Sequence, residues 1–221
     1  MTPRRLPIRL TALIVGLVLY GFSISLMNRA AVGISPWDVL SQGVSLQTGI
    51  PFGMVTNLIG AVVLLLWWPL KQKPGIGTVL NVLLIGTSAQ LGLWILPPVE
   101  SLWIRIPMFA AGLVLLAVAS GIYIAPKLGP GPRDGLMTGL NQRFGWPIWI
   151  ARTSIEVCVA LIGFALGGNL GIGTVVFALL IGPLCQRTLP WFAARIPGAP
   201  VPTASGEPSL EGERASSGTR A

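Results

Sequence analysis

Six stretches of the chain are apolar with only scattered polar positions: about 8 to 28, 51 to 69, 76 to 96, 104 to 125, 147 to 166 and 172 to 191. Each is close to the roughly 20 residues that a helix needs to cross a hydrocarbon core about 30 Å thick. Lipid offers no hydrogen bonds, so backbone inside it must satisfy its own, and all six are predicted as α-helices. The first could pass for a signal peptide, with basic Arg4 and Arg5 ahead of it and small Ala30 and Ala31 behind. Its apolar run is longer than the usual signal core, and a later segment matches it in position, so it is read as a retained helix.

Composition agrees with this pattern. Of 221 residues, 52% are hydrophobic and 10% charged, against about 25% charged in soluble domains. The net charge of +8 does not form a basic face. Its Lys and Arg residues sit at the ends of the apolar runs, as topology signals do, and nucleic acid is excluded as a partner. With a cytoplasmic N-terminus, Arg4, Arg5, Arg9, Lys71, Lys73, Lys127, Arg133, Arg143, Arg187 and Arg195 fall inside, and only Arg29 and Arg105 fall outside. A multi-pass inner-membrane protein with both termini cytoplasmic is expected, and the Pro, Gly, Ser and Glu-rich stretch 197–221 is expected to be a disordered tail.

The chain repeats itself. Shifting it by 96 positions (129 − 33) aligns Gly33 to Gln90 with Gly129 to Gln186 without a gap, with 21 identities in 58 positions. "GISPWDVLSQG" falls on "GPGPRDGLMTG", and the "GIGTV" at Gly75 falls on the "GIGTV" at Gly171. Each copy holds three spans, an odd number, so the second enters the membrane from the opposite side. The expected architecture is an all-α membrane protein of two inverted three-helix repeats, 1–96 and 97–196, with short broken or interfacial helices. Such repeats recur in secondary transporters.

In this topology the Pro-Trp-Asp segment lies at the outer face and Pro-Arg-Asp at the inner face. Ser35 and Gly131 are predicted helix N-caps, with Pro36 and Pro132 at the first helical position and Asp38 and Asp134 at the third, accepting from free amides. The aspartates either only close these helix starts or belong to gates at opposite ends of a pathway. For Gly75, Gly77 and Thr78 and for Gly171, Gly173 and Thr174, tight packing near a pseudo-symmetry axis competes with ligand contact.

The clearest charge anomaly is Arg152 and Glu156, four apart on one helix face with Ala160 and Gly163. Glu156 lies about 14 Å along the helix from Pro147, near mid-bilayer. An ionisable group there is a site candidate by default. The equivalent first-copy positions are Thr56 and Gly60, so a cavity is expected opposite Gly60. The pair either locks the two halves together or binds a proton, ion or substrate, with Asn57, Asn81, Ser88 and Gln90 as polar company.

There is no histidine, and Cys158 and Cys185 are far apart, so no metal or cofactor site is expected. With no P-loop or nucleophile elbow and one deep carboxylate, enzymatic activity is not expected either. The motifs G-x-x-P-W-D-V-L, G-I-G-T-V, P-x-D-G-L, R-x-x-x-E and G-G-x-x-G-I-G-T together resemble the bacterial YczE-like integral membrane proteins, within the YczE/YyaS/YitT grouping, over about Gly16 to Gln186. The resemblance implies a bacterial inner-membrane protein and supplies no substrate. The expected function is a small secondary transporter or exporter of a small molecule or ion. Its rival is a non-transporting membrane partner that regulates another complex, and self-association as a homodimer is open to either.

Overall fold

A computed structural model describes residues 6–196. Arg4, Arg5 and the expected tail lie outside this range. The described residues form eight α-helices and no strands: α1 (Leu6–Ala30), α2 (Pro36–Thr48), α3 (Phe52–Leu65), α4 (Ile76–Ile95), α5 (Leu102–Ile124), α6 (Pro132–Phe144), α7 (Ile148–Ala165) and α8 (Ile172–Ala193).

Five of these, α1, α4, α5, α7 and α8, are long and apolar enough to cross a membrane, and α2 with α3 forms a sixth candidate bent by 118°. The second predicted span therefore differs from expectation. Regular helix stops at Leu65, and the chain continues to Lys71 in hydrogen-bonded turns. The break lets the Trp67 indole turn inward, where its Nε1 donates to the Pro132 carbonyl at 3.0 Å and its ring covers Gly135.

The centre of the bundle is α1 against α5. At one end Arg9 donates to the Pro126 carbonyl, and at the other Arg105 donates to the Ala30 carbonyl at 2.5 Å, so the two helices run antiparallel over their length. Leu13, Leu17, Ile24, Leu113 and Leu116, each at most 3% exposed, fill the seam. Tyr20 and Tyr123 meet edge to face, with ring centroids 5.7 Å apart. Around this core, α4 packs on α1, α8 on α5, α3 on α4 and α7 on α2. The outer surface is the reverse of a soluble protein's: Trp68, Trp94, Trp103 and Ile172 are all more than 70% exposed. Such a surface needs lipid around it, and tryptophans at helix ends suit the interface.

The shift of 96 recurs in the backbone. Helix starts Pro36 and Pro132, Phe52 and Ile148, and Ile76 and Ile172 are all that far apart. So are the positive-φ residues: Ala31 with Lys127 (51° and 50°), Gly33 with Gly129 (128° and 133°), Gly49 with Gly145 (73° and 71°) and Lys71 with Gly167 (54° and 93°). At Gly33 and Gly129 the conformation is one that only glycine adopts readily, so these two residues set the turn that each copy uses to start its short helix.

Packing between the copies is reciprocal. Gly77 N–H donates to the Leu128 carbonyl at 2.9 Å, and Gly173 N–H donates to the Val32 carbonyl at 2.8 Å. Glycine is required here because a Cβ at Gly75 would sit 2.4 Å from the Leu128 oxygen, and one at Gly171 would sit 2.5 Å from that of Val32. The six residues Gly75, Gly77, Thr78, Gly171, Gly173 and Thr174 thus bind each "GIGTV" to the glycine turn of the other copy.

Candidate functional site

The two short helices are positioned by the loops ahead of them. The 128–131 loop runs along the first turns of α4: Leu128 lies on Gly75 and Gly77, the Pro130 carbonyl accepts from Thr78 Oγ1 at 2.7 Å, and Gly131 sits beside Asn81. From Gly75 to Asn81 that path covers about 9 Å of helix rise. Helix α6 then turns back, with Gly135 against Trp67, Gly139 against Leu70 and Gln142 bonded to Gln72 at 2.8 Å. The 32–33 turn meets α8 in the same way, and α2 returns along α7, with Gly43 on Gly163 and Gln47 donating to the Leu166 carbonyl at 3.0 Å.

The N-termini of α2 and α6 therefore converge inside the bundle. Sequence reasoning placed Pro36 and Asp38 on one face of the membrane and Pro132 and Asp134 on the other, and assigned Arg133 to the cytoplasmic charges. Instead, the Arg133 guanidinium lies 5.0 Å from the Trp37 ring centroid and 3.7 Å from Asp38 Oδ1. The reason is the inward loop, which starts at one end of the bundle but delivers the helix start deep within it.

The two caps are built differently. At α2, Ser35 Oγ donates to Asp38 Oδ2 at 2.5 Å and accepts from the Asp38 amide at 3.4 Å. Asp38 is 1% exposed and its Oδ1 has no hydrogen-bond partner, so it faces Arg133 rather than free amides. At α6, Gly131 offers no side-chain cap, and Asp134 stands accessible at the helix start.

A cavity of about 610 Å³ opens beside this junction. Its walls include Trp37, Arg133 and Asp134 from the helix starts, Asn57 and Gly60 from α3, Asn81 from α4, Arg152 and Glu156 from α7, and Tyr20, Tyr123 and Phe177 around them. Arg152 Nε donates to Glu156 Oε1 at 3.0 Å, with the side chains 52% and 26% exposed. The space expected opposite Gly60 is present, and the pair lines it. Asn57 bonds α3 to α4 through the Leu83 carbonyl and Thr87, while its Oδ1 is buried without a partner. Ser88 and Gln90 do not line the cavity: Ser88 packs against Gly21, and Gln90 accepts from the Gly53 amide at 2.9 Å.

The cavity is lopsided. From its centre it extends along α5 past Ser120, Tyr123 and Ile124 to Lys127, and along α8 past Ile181 and Cys185 to Leu189. The equivalent path on the other side is closed: Ala89, the counterpart of Cys185, is 0% exposed, and Gly163 and Gly168 sit on Val39. Sequence reasoning missed Arg133, Trp37 and the two tyrosines as site residues. The alignment held a usable signal, since it pairs Trp37 with Arg133, and equivalent residues of two copies that pack reciprocally can touch.

Apolar helices with an apolar exterior, folded about a buried charged junction, define a multi-pass α-helical membrane protein. The chain belongs to the family described as "Family of unknown function (DUF6198)", which matches residues 7–189, and it is a YczE-like membrane protein. It is 32% identical over 189 residues to the uncharacterized membrane protein YczE of Bacillus subtilis, covering 85% of this chain and 88% of that one. An uncharacterized protein of Haemophilus influenzae is 39% identical over 191 residues, with 86% and 87% covered. YyaS of Bacillus subtilis is 26% identical over 180 residues, with 80% and 90% covered. No solved structure matches the chain.

Proposed function

We propose that the protein is a small secondary carrier of the bacterial inner membrane, with both termini cytoplasmic and its two repeats inverted about the central cavity. The observation that carries this reading is the one-sided opening of a cavity whose walls come from equivalent positions of both copies. Thr56 faces it with Arg152, Gly60 with Glu156, Asn81 with Phe177 and Ile85 with Ile181. In carriers built on inverted repeats, two halves rock about a central site formed by broken helices. The present state is open at the end bearing Lys127. Exchanging the arrangements of the two copies closes that end and opens the other. Arg152 and Glu156 respond to the ligand or coupling ion at the centre, and α2 and α6 move as the gates.

The test needs no knowledge of the substrate. In inverted vesicles, Cys185 reacts with a membrane-impermeant maleimide from the cytoplasmic side. In intact cells, Ala89→Cys in a C185S background reacts from outside, because the exchanged state exposes it as this state exposes Cys185. If Ala89→Cys stays unreactive from outside while Cys185 labels fully, the cavity does not alternate and the carrier reading fails.

A further inference from the structure

We infer that the cavity takes a single-chain anionic amphiphile, which enters sideways from the bilayer between α7 and α8 with its head toward Arg152; the inference rests on the reading of this cavity as a ligand site. A seam that is closed in one copy and open in the other carries it. In the first copy α3 lies against α4. Gly53 N–H donates to Gln90 Oε1 at 2.9 Å, Asn57 Nδ2 donates to Thr87 Oγ1 at 3.1 Å, and the helices approach too closely for a Cβ at Gly53 or Gly86.

The second copy lacks each of these contacts. Trp149 and Thr153 stand where the first copy has Gly53 and Asn57, and Pro183 and Gln186 stand where it has Thr87 and Gln90. Among the described residues no hydrogen bond joins α7 to α8, and α7 packs on α2 instead. A Cβ at Gly182, the counterpart of Gly86, would meet nothing within 4 Å. Gly53 and Gly86 are buried, whereas Trp149 and Gly182 in their places are exposed. Both separated helices line the cavity, α7 through Arg152 and Glu156 and α8 through Ile181, Cys185 and Leu189. The slot between them therefore joins the cavity to the lipid-facing surface, in the half of the bilayer nearer Lys127.

The two sides of the slot differ in chemistry. Ile181, Cys185 and Leu189 make the α8 side apolar, while Arg152 and Glu156 bring charge to the α7 side. Ionisable groups within a membrane span face water or a polar partner. Arg152 uses its Nε on Glu156 and its side chain is 52% exposed. Its two terminal nitrogens donate to no protein group among the described residues, and such a fork grips carboxylate or phosphate oxygens. The charge balance gives the head the same sign. Lys127, Arg133 and Arg152 line the cavity against Asp134 and Glu156. Behind them Asp38 is buried, and the two helix N-termini, each worth about half a positive charge, offset it. One positive charge is left over, so the head is an anion. The volume of about 610 Å³ lies in the range of small-molecule pockets, and the tail runs along the apolar side of α8 toward the lipid.

Photolabelling tests this in phosphatidylcholine liposomes holding the full chain, with dodecanoate that carries a diazirine at its chain end and mass spectrometry to locate the modified residues. Labelling of α8 from Ile181 to Leu189 is expected to saturate, while Val18, exposed on the outside of α1, reports ordinary lipid contact. Unlabelled dodecanoate should lower the slot labelling at least tenfold. Dodecyltrimethylammonium, which shares the chain and reverses the charge, should leave it unchanged. Arg152→Gln should lower slot labelling at least tenfold, and so should Gly182→Phe, which fills the gap without altering a charge. Val18 labelling should not change in either variant. Slot labelling that never saturates, equal competition by the two amphiphiles, or unchanged slot labelling in either variant overturns the inference. Saturable, charge-selective labelling without alternating cysteine access would retain this inference and remove the carrier reading. Alternating access without such labelling would do the opposite.

Discussion

Arg133 and Trp37 occupy equivalent positions of the two copies and touch each other, guanidinium over indole, 5.0 Å from the ring centroid. Counterparts that meet each other place the contact between the two copies inside the site. The same guanidinium faces the buried Asp38 at 3.7 Å, so one side chain joins the two helix starts. Arg133→Ala leaves the Asp38 charge without a partner, which costs about 3 to 5 kcal/mol where the loss is not otherwise compensated. The double variant Arg133→Gln/Asp38→Asn should recover much of that loss in detergent-solubilised thermal unfolding. A double variant as unstable as Arg133→Ala alone would show that the pair does not act through charge.

Arg152 and Glu156 should separate stability from function. Their contact is partly exposed and spans one helix turn, a geometry worth about 0.3 to 0.5 kcal/mol. Glu156→Gln is therefore expected to unfold within a degree or two of the parent while, under the carrier proposal, flux falls by at least tenfold. A large drop in melting temperature with flux intact would make the pair a structural lock instead.

Gly163 tests the closed side. A Cβ there would lie 2.4 Å from the Leu40 backbone nitrogen, and overpacking of this kind typically costs about 1 to 3 kcal/mol. Gly163→Ala should lower thermal stability by that amount or force α2 off α7. Gly182→Ala has nothing within 4 Å of the added methyl and should stay within about 0.5 kcal/mol of the parent. Matching effects at the two sites would refute the tight α2 to α7 contact.

The two cysteines should differ in reactivity. Cys185 lines the cavity and Cys158 is exposed among Val157, Leu161 and Ile162 on the apolar outside of α7. In vesicles a polar maleimide should label Cys185 at least tenfold faster, because Cys158 faces lipid, where the reagent does not partition. Comparable rates would place water, rather than lipid, beside α7.

The helices were legible because crossing lipid needs long apolar runs, and because Gly33, Gly49, Gly129 and Gly145 punctuate them with turns that only particular residues make. The duplication was legible for the same reason, as Gly, Pro and Asp recur in one register. That Gly60 and Glu156 line one cavity also followed from that register. The depth of Arg133 did not. A Pro-Arg-Asp between two apolar runs has the composition of a surface loop, and what carries it inward is the bed that Gly75, Gly77 and Thr78 provide on another helix. The inward turn of Trp67 was hidden too, because a tryptophan near the end of an apolar run reads equally well as an interfacial anchor, the role its exposed neighbour Trp68 fits.

Joining the two copies in one chain has a chemical consequence that two separate identical chains could not match. In a symmetric pair of such chains every charge on the cavity wall appears twice, and an odd number of them is forbidden. Here Arg152 and Glu156 correspond to Thr56 and Gly60 on the same cavity, and Arg133 corresponds to Trp37. Fusion has released the two copies from parity, so an arginine and a glutamate can line the cavity from one copy where the other contributes a threonine and a glycine.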